Sequence, residues 1–417
     1  MIVSTGLAAG SSHSYNRGMS TLRGLRELHV QNFRCLRDVT VPLGRLNVLV
    51  GPNAAGKSTF LDVIQFLGDS VRQDLVPALE ERGGFDQVLF RGDPLRRSPR
   101  SLPRVNVSVK ARVTQHASES ALDHYDLQFW KVRRGLVREE SFQFKRTRGA
   151  GRRIKIKGSG VEFLDEDRAP EQLTLLQEES LGLSTLPKLS DEQGGKQVRQ
   201  IADLFTTFRV FEVSVARAKR PASFEDMDTL RPDASNLSAF LIWLADTDMD
   251  AFERLESDAR EMVPGLAKIK FEGVASPTSG EQLVHAQLLE EGLSQPSPLW
   301  EASYGTVRAL SLLALLYDPN PPLLTCVEEI DHGLHPHVFD RLVDRLREAS
   351  QRTQFVIATH SPALVNRLDP GELIVCERTA GASQIPAIDS HLVAEMEKTS
   401  RLGLGELWFS GTLGGVP

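Results

Sequence analysis

The chain of 417 residues predicts an α/β fold. Its core should be a mostly parallel, helix-covered sheet drawn from both ends of the chain, joined to a mixed N-terminal β-subdomain and a helical insertion lobe. Three observations predict this. The apolar run LNVLV at 46–50 closes on Gly51 and leads through a small-residue loop into a helix-patterned stretch from Lys57 to about Leu67. The last third alternates strand and helix patterns: PLLTCVEE, a helix after Pro336, TQFVIAT, a helix after Ser361, then ELIVCE. That alternation implies parallel strands with helices on the sheet faces. Between about 165 and 265 the apolar spacing shifts to three and four residues, the period of amphipathic helices.

In chain order, residues 1–20 read as a flexible leader rich in Gly, Ser and Ala, with Met19 as an alternative start and no signal-peptide pattern. Residues 21–160 form an N-terminal half. LRELHV and DVTVPL read as strands, and VNVSVKARV, YDLQFWKV, VREESFQF and RRIKIK read as an antiparallel meander. Residues 161–265 are the expected helical insertion, carried by EQLTLLQEES, VRQIADLFTTF, SNLSAFLIWLADT and MDAFERLESDAREMV. No heptad persists there, so a long coiled-coil arm is not expected. Residues 266–417 complete the fold as a C-terminal half.

Composition narrows the class. At 41% hydrophobic and 25% charged, the chain is globular rather than disordered. No apolar run approaches the roughly 20 residues of a membrane helix, so the expectation is a cytoplasmic protein without a membrane partner. Cys35, Cys326 and Cys376 stand far apart and read as buried apolar groups rather than a disulfide or zinc framework. A net charge of −6 argues against uniform coating of nucleic acid and leaves room for a local basic patch.

The chemistry begins at Gly51-Pro52-Asn53-Ala54-Ala55-Gly56-Lys57-Ser58-Thr59, a G-x-x-x-x-G-K-[ST] loop between a buried strand and a helix. Its glycines let backbone N–H groups face a phosphate, and the helix N-terminus adds positive potential. Lys57 is placed to reach the β- and γ-phosphates of ATP, and the Ser58 hydroxyl to ligate Mg²⁺. Asn53, Ala54, Ala55, Gly56 and Thr59 complete the candidate cradle. A second element, Pro322 to Glu329, is an apolar strand ending in two acids. Neighbours on a strand face opposite ways, which assigns Glu328 to the metal and Glu329 to the general base. In a third, FVIATHSP at 355–362, a strand delivers His360 to the carboxyl edge of the sheet, within reach of a γ-phosphate. Alone, such a histidine is more often a solvated or core residue; its spacing one strand-helix unit after the acids favours the site.

These stretches, with the opening LHVQNFRCLRDVTV, EEIDHGLHP and IATHSP, resemble the ABC-type ATPases of the SMC/RecF/OLD-like group, the AAA-type predicted ATPases. The resemblance covers both ends, about half the chain. It implies a P-loop ABC-type core, ATP hydrolysis with Mg²⁺, and an ATP-dependent homodimer in which a signature loop of one copy meets the γ-phosphate of the other. Ser303, Gly305 and Thr306 occupy the signature position, with Tyr304 replacing the usual acidic or small residue and Ile330 replacing a frequent proline after the acids. The resemblance further implies a D-loop at Asp331 to His335 and a Q-loop where Gln87, a candidate metal-site residue, stands; the other reading of that segment is a simple turn.

Residues 131–157 hold 11 Lys and Arg against two Glu, a density that suits a polyanion such as DNA or, alternatively, a solvated hairpin tip or a partner protein. Only 57 residues follow His360, too few for the TOPRIM nuclease domain of some OLD-like members, so a nuclease or other effector is expected as a separate protein. The leading expectation is a dimerising ATPase switch in DNA maintenance or anti-phage defence. A regulatory ATP binder with little turnover and a transporter ATPase subunit are the alternatives, the latter disfavoured by the N-terminal pattern and the insertion.

Overall fold

The computed structural model describes residues 23–145, 151–165, 168–174, 180–188, 195–225, 227–275 and 280–414. Strands β1 (Gly24–Phe33), β2 (Leu36–Pro42) and β3 (Leu46–Val50) lead to the first long helix, Lys57–Gln73. A meander follows: β4 (Val105–Arg112), β5 (Asp123–Val132), β6 (Gly135–Phe144), β7 (Arg152–Lys157), β8 (Gly160–Asp165) and β9 (Arg168–Thr174). Next come β10 (Arg209–Phe211), β11 (Ala222–Ser223), β12 (Leu266–Ala275), β13 (Gln282–Glu290) and β14 (Ser297–Pro298). The chain closes with β15 (Leu324–Val327), β16 (Gln354–Thr359), β17 (Leu373–Val375) and the hairpin β18 (Glu377–Thr379) to β19 (Ala382–Gln384).

Two large sheets organise the molecule. The first is antiparallel, in the order β2-β1-β4-β5-β6-β7-β8-β9. The second is parallel, β10-β15-β16-β3-β17, and so joins a strand from residue 46 to strands beyond residue 320. Pleating sends alternate residues to opposite faces. Leu46, Val48 and Val50 of β3, with Phe355 and Ile357 of β16, enter one core beside the helices Leu237–Thr247, Tyr304–Tyr317 and Phe339–Ala349. Leu49, Val356 and Ala358 enter a second core, with Phe60, Leu61 and Ile64 of the first helix and the inner face of the antiparallel sheet. Buried Gln354 ties the two sheets: its Oε1 accepts from Leu25 N at 3.0 Å and its Nε2 donates to Leu25 O at 2.9 Å.

Several local expectations differ. The stretch 171–174, whose spacing predicts a helix, lies in β9, because a short apolar run carries no decisive period and the open edge of β8 offers a full ladder. Within 161–265, Arg209–Phe211 is a strand of the parallel sheet, pairing with β15. The helices Leu237–Thr247 and Met249–Met262 pack into the core shared with that sheet. The antiparallel pair β12–β13 has no counterpart in the sequence reading.

The described residues of the basic tract 131–157 do not form one patch. Arg138 and Arg152 are buried on the inner face of the sheet. Lys131 pairs with Asp86, and Lys157 approaches Glu139 at 3.6 Å. Arg133 and Arg134 sit at one end of β6 and Lys145 at its other end; 146–150, most of the expected basic tip, lie outside the described residues. A ten-residue strand separates those ends by roughly 30 Å. Exposed Arg153, Lys155 and Lys157 on alternate positions of β7 form the remaining basic row.

Candidate nucleotide site

The loop after β3 is shaped by close approach. Gly51 lies so near β17 that a Cβ there would stand 2.2 Å from Cys376 O. Gly56 has φ +106, and a Cβ would meet Ser383 Oγ at 2.4 Å, so only glycine fits either position. Ala54, at φ 64, also lies in the left-handed region. Lys57 begins the helix, nearly buried, and its Nζ donates to Gly51 O at 2.8 Å and Pro52 O at 3.0 Å. Burial lowers its pKa, opposed by the nearby carboxyl groups of Glu329 and Glu328.

A cavity of 760 Å³ opens over this loop. Asn53, Ala54, Gly56, Lys57, Ser58, Thr59, Gln87, Glu329 and His360 all line it. Residues about 30, 270 and 300 positions from the loop thus converge on the carboxyl edge of the parallel sheet. Ala55 is instead buried beneath the loop, its N–H donating to Pro52 O at 3.2 Å. Gln87, on the short helix Phe85–Val88, lines the cavity, with its Oε1 accepting from Arg91.

The two acids follow the end of β15 and diverge, because the backbone turns left-handed at Glu329. Glu328 turns to the loop, where Ser58 Oγ donates to its Oε2 at 3.2 Å. Burial raises its pKa, with Glu212, Glu329 and Asp62 adding to the rise against the Ser58 bond. A carboxylate crowded by other acids next to a hydroxyl fits Mg²⁺, which takes one or two protein oxygens and completes its shell with phosphate and water. Among the described residues no group of three or more His, Cys, Asp or Glu forms a dedicated metal cage. Glu329, at φ 47, turns outward: its Oε2 lies 2.9 Å from His332 Nδ1 and its side chain is 59% exposed. The His332 hydrogen bond holds its pKa below the usual carboxylate value. Burial and the Lys57 charge lower the pKa of His360, which is therefore a neutral hydrogen-bonding group at pH 7.

Ser303, Gly305 and Thr306 do not line this cavity. They open on a separate groove of 490 Å³ with Gly333, His335 and His337. Ser303 caps the helix Tyr304–Tyr317, accepting from Thr306 N at 3.1 Å, and Gly305 lies against Gly333 O. One edge of the Tyr304 ring lies against Gly333, with its centre 5.5 Å from that of the His332 ring, while the side chain stays partly exposed.

Sequence reasoning missed Arg308. Almost wholly buried, it donates to Glu329 O at 2.8 Å, Glu328 O at 3.1 Å and Val213 O at 3.4 Å, fixing the backbone that carries both acids. A lone cation in the apolar run VRALSLLALLY was the available signal. Arg308→Met is expected to leave these carbonyls unpaired at a cost of about 3 kcal/mol, read as a lower urea midpoint at unchanged slope.

These features are those of a P-loop fold, with a phosphate-binding loop at the carboxyl edge of a parallel sheet. The chain belongs to the family described as "AAA domain, putative AbiEii toxin, Type IV TA system", which matches residues 46–366. It is 51% identical over 55 residues to the OLD nuclease of Thermus scotoductus, a match spanning 13% of this chain and 10% of that protein. Among solved structures it is similar to an Smc head bound to the C-winged helix domain of ScpA, at TM-score 0.47 and 14% identity over 87% of this chain and 97% of that one. The SMC head domain from Thermotoga maritima aligns at TM-score 0.40 and 14% identity, over 88% of this chain and 99% of that one. No described helix is long and apolar enough to cross a membrane.

Proposed function

We propose that this chain binds ATP with Mg²⁺ in the 760 Å³ cavity and hydrolyses it as an ATP-dependent homodimer whose opening and closing gates a separate effector acting on DNA. One observation carries the reading. The phosphate loop, both acids and His360 meet at one edge, while Ser303, Gly305 and Thr306 open on another groove, so a second copy is required to bring a signature loop to the nucleotide. In this reading backbone N–H groups of the loop and Lys57 hold the phosphates, and Ser58 and Glu328 hold Mg²⁺, which offsets phosphate charge. Glu329 takes a proton from the attacking water, the γ-phosphoryl to β-oxygen bond breaks, and His360 hydrogen-bonds the departing phosphate, giving ADP and phosphate. The cytosol supplies both ligands.

The basic row Arg153, Lys155 and Lys157 supports a DNA backbone contact. Trp130 is covered by the Arg104 guanidinium, and Phe142 and Phe144 are buried, so base stacking is not part of it. The test is ATP turnover and light scattering of the purified chain, with and without double-stranded DNA. Turnover rising with DNA, and a dimer forming only with ATP, support the switch; a monomer at saturating ATP ends the composite-site reading. Turnover indifferent to DNA redirects the effector search to a protein. The second reading, a regulatory binder with little turnover, is favoured by the His332 hold on Glu329 and predicts tight ATP binding with negligible phosphate release.

A further inference from the structure

We propose that the hairpin β18–β19 is the nucleoside-binding element of the cavity, with the Arg378 guanidinium stacked on the nucleobase. This rests on the nucleotide reading above and extends it. The two ends of the cavity differ in chemistry. Glu329 and His360, with Glu328 behind Ser58, follow β15 and β16 on one side of β3, which places the terminal phosphate there. β17 lies on the opposite side of β3, and the hairpin that continues it contributes Arg378, Ala380 and Gly381 to the wall. A triphosphate lying along the loop with its γ-end at β15 and β16 directs its nucleoside toward that hairpin.

The hairpin is built against the loop rather than merely near it. Ser383 N donates to Cys35 O at 2.8 Å, and the buried Ser383 hydroxyl, without a hydrogen-bond partner among the described residues, lies against Gly56. Arg378 Nη1 donates to Ala54 O at 3.3 Å and its Nε to Gly381 O at 3.2 Å. The tip residues Ala380 (φ 50) and Gly381 (φ 83) are both left-handed, the conformation of a tight two-residue turn that fixes the hairpin's direction. Of the other arginines lining the cavity, Arg34 is committed to Asp62 at 2.7 Å, Arg82 to Asp62 and Asp69, and Arg91 donates to Gln87 on the helix Phe85–Val88; Arg378, on the hairpin, has no ion-pair partner among the described residues. A planar, weakly hydrated cation with an open face is suited to stack on a purine.

The lining neighbours of Arg378 on the hairpin and at the β1–β2 turn, Ala380, Gly381 and Cys35, carry no side-chain amide or carboxylate to read the edge of a base; the lining's amides, Asn53 and Gln87, belong to the phosphate loop and to the helix Phe85–Val88, and its carboxylate, Glu329, follows β15. ATP and GTP should therefore bind within about fivefold of each other, since a stacking platform accepts any base. Calorimetric titration of the full chain with ATP, GTP and inorganic tripolyphosphate, each with Mg²⁺, tests this on wild type, Arg378→Ala and Arg378→Lys. Arg378→Ala should weaken ATP and GTP roughly tenfold and leave tripolyphosphate within about twofold; Arg378→Lys, which keeps the charge and loses the plane, should not restore binding. Undiminished ATP affinity in Arg378→Ala, or an equal loss for tripolyphosphate, overturns the stacking role while leaving the nucleotide site standing. A wild-type chain that binds neither ATP nor tripolyphosphate overturns the nucleotide reading itself, and this inference with it.

Discussion

Glu329→Gln should abolish measurable turnover while leaving ATP affinity nearly unchanged, and the variant should accumulate as an ATP-bound dimer. Glutamine keeps the size and the ability to hydrogen-bond His332 but cannot take a proton from water. The carboxylate is ionised at neutral pH, held so by the His332 hydrogen bond, and it lines the cavity from an outward-turned backbone at φ 47. A positioned general base contributes about 10²- to 10⁴-fold, so the loss is far outside assay scatter. Arg308 separates chemistry from folding in this experiment, because it holds the Glu329 carbonyl rather than the carboxylate, leaving the local backbone of the variant in place. Phosphate release and light scattering with ATP check the expectation; an unchanged rate removes Glu329 from the role of base.

The legible part of this site is the part with local physical requirements. A phosphate loop binds through its own backbone, so its glycines, lysine and hydroxyl are contiguous, and 51–59 could be read at once. The acids at 328 and 329 follow a wholly buried strand and could be placed at its carboxyl end; they do diverge, but through the left-handed backbone at Glu329 rather than through strand alternation. What escaped depends on contacts between distant elements. Arg308 reaches the acids from a different helix, and Arg378 reaches Ala54 across 324 positions. The basic tract misled because a linear count of charge ignores pleating, which turns Arg138 and Arg152 into the interior. The strand β9 escaped because edge pairing, rather than any period in EQLTLLQEES, decides its conformation.

Lys57→Ala should weaken ATP binding about a hundredfold, with turnover falling below detection at submillimolar ATP. The ammonium is the only lysine lining the cavity among the described residues, and a charge-assisted bond to phosphate is worth roughly 1.5–3 kcal/mol, where 1.4 kcal/mol is tenfold. Without a ligand it donates to Gly51 O and Pro52 O, so it must exchange these carbonyls for phosphate oxygens on binding. The exchange is favourable because the loop's own carbonyls are neutral, whereas the phosphates are charged. It also means that the substitution removes two loop contacts in the free protein, and Lys57→Arg, which keeps the charge in a bulkier fork, is the needed companion. Arginine at this nearly buried position must displace the loop, so it should also lose affinity while retaining long-range attraction. Calorimetric titration of ATP into both variants, with thermal unfolding alongside, distinguishes a lost phosphate contact from a collapsed loop. Wild-type affinity in Lys57→Ala would remove this cavity from nucleotide binding altogether.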